Sequence, residues 1–156
     1  MKLKLLYMFA LVFTFSIYNV TAQSQIKQIQ KTVKYKDNVN APLTAKELAN
    51  LKEVYADKLE EYVLNRPEYL TYMKHLLRNR IEIVNKADLI KHKDKYELLS
   101  EVGLFNNYNS NLTMDTGYNP ETFNVLKYNV RYHGNGASIY RIDNTNYFII
   151  IKSQHQ

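Results

Sequence analysis

Apolar and polar side chains alternate along residues 126–132, near the C-terminal end of the chain. The apolar positions are Leu126, Tyr128, Val130 and Tyr132, and the polar positions between them are Lys127, Asn129 and Arg131. A period of two is expected of a half-buried strand. Together with the runs that follow, it predicts a three-stranded antiparallel meander over residues 123–152.

Two turns set the predicted register of this meander. Gly134 and Gly136 predict a three-residue loop, because a glycine supplies the left-handed position that such a loop needs. Asparagines on either side of Thr145 predict a second such loop, since asparagine tolerates positive φ. The pairs expected opposite each other are Val130 with Tyr140, Tyr128 with Ile142 and Lys127 with Asp143 in the first hairpin, and Tyr140 with Ile150 and Ile142 with Phe148 in the second.

The last strand of the meander, residues 147–151, is apolar without interruption. Such a run is typical of a strand that is covered on both faces, and a bare edge made of it would favour aggregation. We therefore expect another strand beside it. The alternating residues 32–36 are the best candidate, which makes the sheet four-stranded.

Two amphipathic helices are predicted between residues 32–36 and the meander. Thr44 and Glu47 have the spacing of a capping box, so a helix begins there and ends near Asn65. Pro67 then favours a new helix start, and a second apolar stripe reaches residue 84. A third, shorter helix is expected over residues 94–102. The predicted fold class is α+β, with N-terminal helices packed on one face of a C-terminal, mainly antiparallel sheet of three to four strands.

The first 22 residues have the features of a secretory signal peptide. A short basic lead precedes a largely apolar run of 13 residues, and small or compact residues follow at positions 20–22. The run is shorter than the roughly 20 residues of a membrane-spanning helix. We therefore expect cleavage after Ala22 and no transmembrane helix afterwards. The predicted organisation is a polar leader over residues 23–43, one α+β domain over residues 44–156, and a periplasmic or extracellular location.

The chain contains no cysteine, so it forms no disulfide. Small extracellular animal domains usually carry disulfides, and the absence therefore points to an exported bacterial protein. Loss of Lys2 and Lys4 with the signal peptide takes the expected net charge from +6 to +4, which is a mild excess. Acidic side chains interrupt the basic stretch over residues 74–95, as on a solvated helix face, and we do not expect a nucleic acid partner.

Motifs for metals and cofactors are not evident in the sequence. The four histidines are scattered, and none lies beside another at a recognised ligand spacing. Asn107, Asn109 and Asn111 repeat the alternate spacing of a calcium loop, but the glycine and glutamate of that loop are missing. Phosphate-loop, dinucleotide and nucleophile-elbow motifs are missing as well. We therefore predict no metal and no cofactor.

Residues 106–120 form the longest stretch with no strong regular pattern, and long loops in compact domains are often functional. The chain has 14 tyrosines and no tryptophan. Tyrosines at helix or strand spacing are expected to pack in the core, whereas those in the loop would form a recognition surface. The leading hypothesis is an exported, non-catalytic protein that binds a protein, glycan or other envelope component through this loop and the polar face of the sheet. The predicted binding residues are Tyr108, Asn111, Asp115, Tyr118 and Arg131.

Two alternatives remain open. Helices followed by an antiparallel sheet in a small, basic, secreted chain have the outline of the microbial ribonucleases. The candidate catalytic residues of such a phosphodiesterase are Glu121, Arg131, His133 and Arg141, which would supply general acid–base catalysis and charge stabilisation. A similar order of helices and strands does not establish an activity. The same four residues are equally expected as charged or polar side chains that face solvent. The second alternative is a cone-like α+β domain whose curved sheet encloses a small ligand.

Two stretches carry a resemblance to known proteins: residues 119–129, NPETFNVLKYN, and residues 140–152, YRIDNTNYFIIIK. They follow a signal segment that ends in Thr21, Ala22 and Gln23. In these stretches the chain resembles small uncharacterised secreted proteins of bacteria, over most of its length after the signal. The resemblance implies export, and it implies no activity, site or cofactor.

Overall fold

The computed structural model describes residues 33–155. Two helical segments precede a four-stranded sheet, which confirms the predicted α+β class. The predicted signal peptide and residues 23–32 of the polar leader lie outside the described residues. The helices are α1 (Ala45–Tyr55), α2 (Pro67–His75), α3 (Ala87–Ile90) and α4 (Leu99–Val102), and the strands are β1 (Ile81–Val84), β2 (Glu97–Leu98), β3 (Ser138–Arg141) and β4 (Phe148–Ile151).

The first helical segment begins at the predicted capping box. The Glu47 backbone N–H donates to the Thr44 hydroxyl at 3.2 Å, and the Glu47 carboxylate accepts from the Thr44 N–H at 2.8 Å. α1 is followed by a 3-10 turn, Ala56–Lys58, and a π-helical turn, Glu60–Leu64. The segment therefore ends next to Asn65, as predicted.

The second helical segment has Pro67 in its first turn, as predicted. α2 continues into a π-helical turn, Leu76–Arg80, which ends where β1 begins. The prediction that this helix extends to residue 84 is wrong. Three of the four β1 residues are β-branched, and pairing with the apolar β4 offers them hydrogen bonds and burial that a helix end would not.

The predicted helix over residues 94–102 is largely replaced by other elements. A 3-10 turn, Lys93–Lys95, and the strand β2 occupy its first part, and only α4 is α-helical. β2 is extended because it pairs in parallel with β3. α4 ends before Gly103, whose φ of 80° is readily adopted by glycine.

The sheet has the order β1-β4-β3-β2, so β4 is an internal strand, as predicted. Both neighbours run antiparallel to it. The predicted partner, residues 32–36, is wrong, because β1 occupies that side of β4. Residues 33–36 have no regular secondary structure, and Thr32 lies outside the described residues.

β3 and β4 pair one residue away from the predicted register. Tyr140 lies opposite Ile149. The connection is one residue longer than predicted, since the Ile142 N–H donates to the Tyr147 carbonyl at 2.9 Å and closes a four-residue loop. Asn144 has a φ of 55°, which is the positive value expected of an asparagine in this turn.

Residues 123–132, which we call the central segment, do not form the predicted first strand of a meander. They contain a 3-10 turn, Val125–Lys127, and one isolated bridge between Tyr128 and Leu104. β3 pairs with β4 and β2, so the pairs predicted between the central segment and residues 140–143 are wrong, as is the hairpin at residues 134–136. The alternating apolar side chains of this segment instead enter two different hydrophobic clusters, with Leu126 in one and Tyr128 and Val130 in the other.

The two clusters meet at the central segment. The helix cluster is formed by buried residues of the two helical segments and by Leu126. Tyr132 packs against both clusters, so the central segment is covered on two sides. The sheet cluster contains residues of β3, β4 and α4, together with Ile142 and four residues of the central segment: Phe123, Val125, Tyr128 and Val130.

Loops and side chains satisfy the buried backbone of the central segment. The Phe105 N–H donates to the Lys127 carbonyl at 2.7 Å. The fully buried Asn124 donates to the Asn50 carbonyl at 2.9 Å and accepts from the Leu126 N–H at 3.1 Å. Since buried peptide groups without partners are costly, these bonds perform the role that sheet pairing has in a strand.

Arg78 joins the end of the second helical segment to the start of the first. Its Nε and Nη2 atoms donate to the Glu47 carboxylate at 2.6 and 2.7 Å. It also donates to the carbonyls of Asn38, Ala41 and Pro42, which precede α1. The hydrogen bonds from Arg78 lower the pKa of Glu47 below its ordinary value of 4.5.

We predict that Glu47→Gln lowers the free energy of unfolding at neutral pH by roughly 2 kcal/mol, because the charge-assisted bonds to Arg78 are weakened or lost. A lowered folded-state pKa contributes stability above the unfolded-state pKa, and that contribution is lost as the pH falls through the folded-state value. The difference between variant and wild type should therefore shrink below a pH of about 4.5, as measured by urea unfolding at several pH values.

The matched control is Glu61→Gln. The Glu61 carboxylate is exposed and lies 3.8 Å from the Lys58 ammonium. It should change the free energy of unfolding by less than about 0.5 kcal/mol. A Glu47→Gln effect that stays constant at every pH would contradict the assigned ion pair.

Candidate functional site

A cavity of about 150 Å³ lies between the two helical segments and the central segment. We call it the tyrosine cavity. None of its lining residues belongs to β1, β2, β3 or β4, so it differs from the sheet-enclosed pocket of the cone-like alternative. The helical segments contribute Val54, Tyr55, Tyr69, Tyr72, Met73 and Leu76, and the remaining lining residues are Phe105, Leu126, Asn129, Val130, Tyr132 and His133.

The interior of the tyrosine cavity is apolar, whereas its rim is polar. Val54, Leu76 and Leu126 are buried, with at most 3% of their surface exposed. Asn129 and His133 are exposed. An apolar lining with a few convergent polar groups is the usual composition of a small-molecule site.

The hydroxyls of Tyr55 and Tyr69 lie 2.8 Å apart, and one donates to the other. Burial raises the pKa of Tyr55, with its hydrogen bond to Tyr69 as the next cause, so its phenol stays protonated. Two hydroxyls carry two hydrogens, and only one of these can lie between the two oxygens. Within the described residues the second hydrogen has no recorded acceptor, which leaves it available to a ligand or to water.

Tyr72 connects α2 to the rim of the cavity. Its hydroxyl lies 3.1 Å from Nδ1 of His133 and 3.4 Å from the Tyr132 carbonyl oxygen. The rings of Tyr72 and His133 are stacked, with their centroids 5.3 Å apart. Burial raises the pKa of Tyr72, although Arg80 acts in the opposite direction, so Tyr72 remains a neutral hydrogen-bonding group.

A groove of about 600 Å³ adjoins the tyrosine cavity, because Tyr69 and Tyr72 line both spaces. Arg66, Pro67 and Glu68 complete the groove. The Arg66 guanidinium carbon lies 5.7 Å from the centre of the Tyr69 ring, within the range of a cation–π contact. The groove and the cavity therefore meet at these two tyrosines.

Two of the loop tyrosines predicted to bind a partner pack against other aromatic rings. Tyr108 stacks on Tyr55 of the helix cluster, with 5.0 Å between centroids. Tyr118 lies 4.3 Å from the ring of Tyr147. Both tyrosines are therefore half-buried parts of the fold.

Asn111 and Arg131 are exposed, and they lie in separate parts of the chain. The Asn111 N–H donates to the side chain of Asn109 at 3.0 Å within the loop. The Arg131 N–H donates to the Tyr140 hydroxyl at 3.0 Å. No hydrogen bond among residues 33–155 joins the two predicted binding residues.

Asp115, which is half-buried, forms an ion pair with the buried Lys127 and so holds the loop against the central segment. Nζ of Lys127, which is 4% exposed, lies 2.7 Å from the Asp115 carboxylate and 3.6 Å from that of Glu53. The Tyr128 hydroxyl donates to Asp115 at 2.9 Å, and burial raises the pKa of Tyr128 so that it remains a donor. The predicted solvent-facing position of Lys127 is therefore wrong, because acidic residues distant in sequence enclose its ammonium group.

The four candidate catalytic residues, Glu121, Arg131, His133 and Arg141, are not joined by any hydrogen bond or ion pair among themselves in the described part of the chain. His133 contacts the tyrosine cavity. Arg141 lies in β3, with its Nη1 atom 3.7 Å from the carboxylate of Asp94. The side-chain contacts of His133 and Arg141 are therefore with Tyr72 and Asp94, which lie outside this set.

Comparison of the chain with known proteins finds no relative. No family model, no curated protein and no solved structure matches the chain. Across residues 33–155, no three His, Asp or Glu side chains are grouped so that they could hold a metal ion. In the same range, no helix is long and apolar enough to cross a membrane.

Sequence reasoning did not predict this cavity. It assigned Tyr55 and Tyr69 to core packing, and both do pack in or against the helix cluster. The available local signal was the three-residue spacing of Tyr69 and Tyr72, which places both rings on one helix face. The contributions of Phe105 and Tyr132 depend on tertiary contacts that no local pattern reports.

We predict that Asp115→Asn lowers the free energy of unfolding by roughly 3 kcal/mol, because it leaves the buried Lys127 ammonium with a weaker partner. Adding Lys127→Met should recover much of that loss, since it removes the unpaired charge. Chemical unfolding of the single and double variants measures the coupling free energy between Asp115 and Lys127. If the double variant is as unstable as the sum of both single variants, the ion pair is not the link that we assign.

Proposed function

We propose that the chain is an exported, non-catalytic binding protein and that its ligand is a small, largely apolar molecule held in the tyrosine cavity. The observation that supports this most strongly is the cavity itself, with its apolar interior and a few polar groups at its wall and rim. In another protein, an engineered apolar cavity of about 150 Å³ binds benzene. The tyrosine cavity has the same volume, so it has space for one six-membered ring.

The contacts of the loop over residues 106–120 favour the cavity over the loop as the ligand site. Tyr108 and Tyr118 pack on other rings, and Asp115 is paired with Lys127. Using these side chains to bind a partner would require breaking contacts within the fold. A protein, glycan or envelope component that presents a small apolar group would reach the cavity through the adjoining groove.

Binding without catalysis fits the arrangement of the titratable groups. The ribonuclease-like alternative needs a carboxylate, an arginine and a histidine within reach of one phosphodiester. Among its candidates, only His133 lines the tyrosine cavity, and its recorded contact is with Tyr72. We therefore place His133 at the rim of a binding site.

Export is supported by the basic lead, apolar run and small residues at the start of the sequence. It is also what the resemblance to small secreted bacterial proteins implies. Together they favour a periplasmic or extracellular binding protein.

We predict that the chain produced in a bacterium with two membranes is recovered outside the cytoplasm with Gln23 at its N-terminus, as measured by mass spectrometry of the fractionated protein. Ala22→Tyr should block this cleavage, because a signal peptidase requires a small residue there. A wild-type chain that keeps residues 1–22 and stays in the cytoplasmic fraction would disprove the export proposal.

We predict that toluene binds the purified chain with a dissociation constant on the order of 1 mM, which corresponds to about −4 kcal/mol. Backbone amide shifts in NMR spectra should move for residues around the cavity. Val54→Phe should weaken binding at least tenfold, because the larger side chain occupies the cavity. Its melting temperature should not fall, since filling a cavity restores packing contacts.

Val84→Phe is the matched control, because it makes the same replacement on the edge strand β1, away from the cavity. It should leave the affinity for toluene unchanged. If toluene causes no shifts, or if Val54→Phe folds and binds as tightly as wild type, the proposed site is wrong.

A further inference from the structure

We infer that the ring held in the tyrosine cavity carries a hydroxyl, so that the ligand is a phenol and its hydroxyl joins the paired hydroxyls of Tyr55 and Tyr69. This inference rests on the proposed function and specifies its ligand class. It starts from the 2.8 Å distance between the two tyrosine oxygens. Both tyrosines line the cavity.

The hydroxyl pair is incomplete as a hydrogen-bonding unit. One hydrogen lies between the two oxygens, and within the described residues the other has no recorded protein acceptor. Tyr55 is only 4% exposed and Tyr69 is half-buried, so the hydroxyl pair is partly shielded from bulk water. A buried polar group without a full set of partners costs free energy, and a ligand that completes the set recovers it.

A phenolic hydroxyl suits this pair better than a pure acceptor does. It can accept the remaining tyrosine hydrogen and donate its own hydrogen to a tyrosine oxygen, which extends the chain of hydroxyls. Burial raises the pKa of Tyr55 above its ordinary value of 10.0, so the phenol is a donor at neutral pH. The aromatic part of the ligand meets the apolar interior formed by Val54, Leu76 and Leu126.

The comparison of p-cresol with toluene tests this directly, because the two molecules differ by one hydroxyl. In an apolar cavity without a polar partner, the cost of removing that hydroxyl from water makes toluene the tighter ligand. If the tyrosine hydroxyls bind the ligand hydroxyl, p-cresol becomes the tighter ligand of the two. The sign of the difference therefore reports whether a protein group meets the ligand hydroxyl.

We expect p-cresol to bind wild type about tenfold more tightly than toluene in calorimetric or NMR titrations. In the double variant Tyr55→Phe with Tyr69→Phe, the rings remain and both hydroxyls are lost. There p-cresol should bind no more tightly than toluene, while toluene still binds. The persistence of toluene binding shows that the variant is folded and that the cavity is intact.

The matched control is Tyr62→Phe with Tyr108→Phe. These rings pack against each other with 4.8 Å between centroids and do not line the cavity. They belong to the surroundings of the same helix cluster, so the control makes an equal chemical change nearby. It should retain the wild-type preference for p-cresol.

N-acetyl-tyrosine amide, added as a third probe, distinguishes two sources of the phenol. Binding at least as tight as that of p-cresol indicates a tyrosine side chain of a peptide, with the amide groups in the groove near Arg66. Binding at least tenfold weaker indicates a free phenol. Toluene binding as tightly as p-cresol or more tightly to wild type would overturn the phenol inference alone, whereas no binding by either ring would overturn the proposed function.

Discussion

The central segment is buried on two sides, but it is not a strand. The rest of the structure depends on the hydrogen bonds that its backbone N–H and carbonyl groups form without a sheet partner. Phe123, Val125, Tyr128 and Val130 enter the sheet cluster, whereas Leu126 enters the helix cluster. A buried backbone needs a partner for almost every N–H and carbonyl. The partners come from Phe105, from the side chain of Asn124, and from Arg80, whose guanidinium donates to the Tyr132 carbonyl at 2.6 Å.

This arrangement has a direct consequence for the tyrosine cavity. The helical segments present tyrosines to a neighbour whose backbone is irregular, so the regular ridge-and-groove packing of two helices is absent at this contact. The cavity lies at this junction. Its walls are held by contacts that extend beyond it, among them the Tyr132 hydroxyl bond to the Val125 carbonyl at 2.7 Å. The site is therefore a product of the same constraint that organises the two clusters.

Local chemistry made some elements predictable. The capping box at Thr44, the proline at the start of α2 and the apolar run of β4 each depend on residues within a few positions, and all three are confirmed. The alternation in residues 126–132 misled the prediction, because its apolar side chains are divided between two clusters and the polar Lys127 is itself buried. Ile81 and Val84 also fit a helical stripe, and only the presence of β4 makes them a strand.

The candidate site was less predictable than the fold, for a physical reason. Loop length and polarity favoured residues 106–120, but the partners of Asp115 and Tyr108 are Lys127 and Tyr55, which lie far from them in sequence. A cavity forms where side chains that are distant in sequence come together without filling the space between them. The spacing of residues along the chain and the amino-acid composition do not report whether such a space is filled. The tyrosine count was the one compositional hint, and it did not separate core tyrosines from cavity tyrosines.

The central claim is that the tyrosine cavity is an accessible, largely apolar space in the folded protein. Crystals of the chain beginning at Gln23, exposed to pressurised xenon, test it most directly, because xenon enters dry apolar cavities and is visible by its anomalous scattering. We expect a xenon atom between Tyr55, Leu76 and Leu126. Crystals that bind xenon elsewhere, or that show those three side chains packed together without a gap, would contradict it.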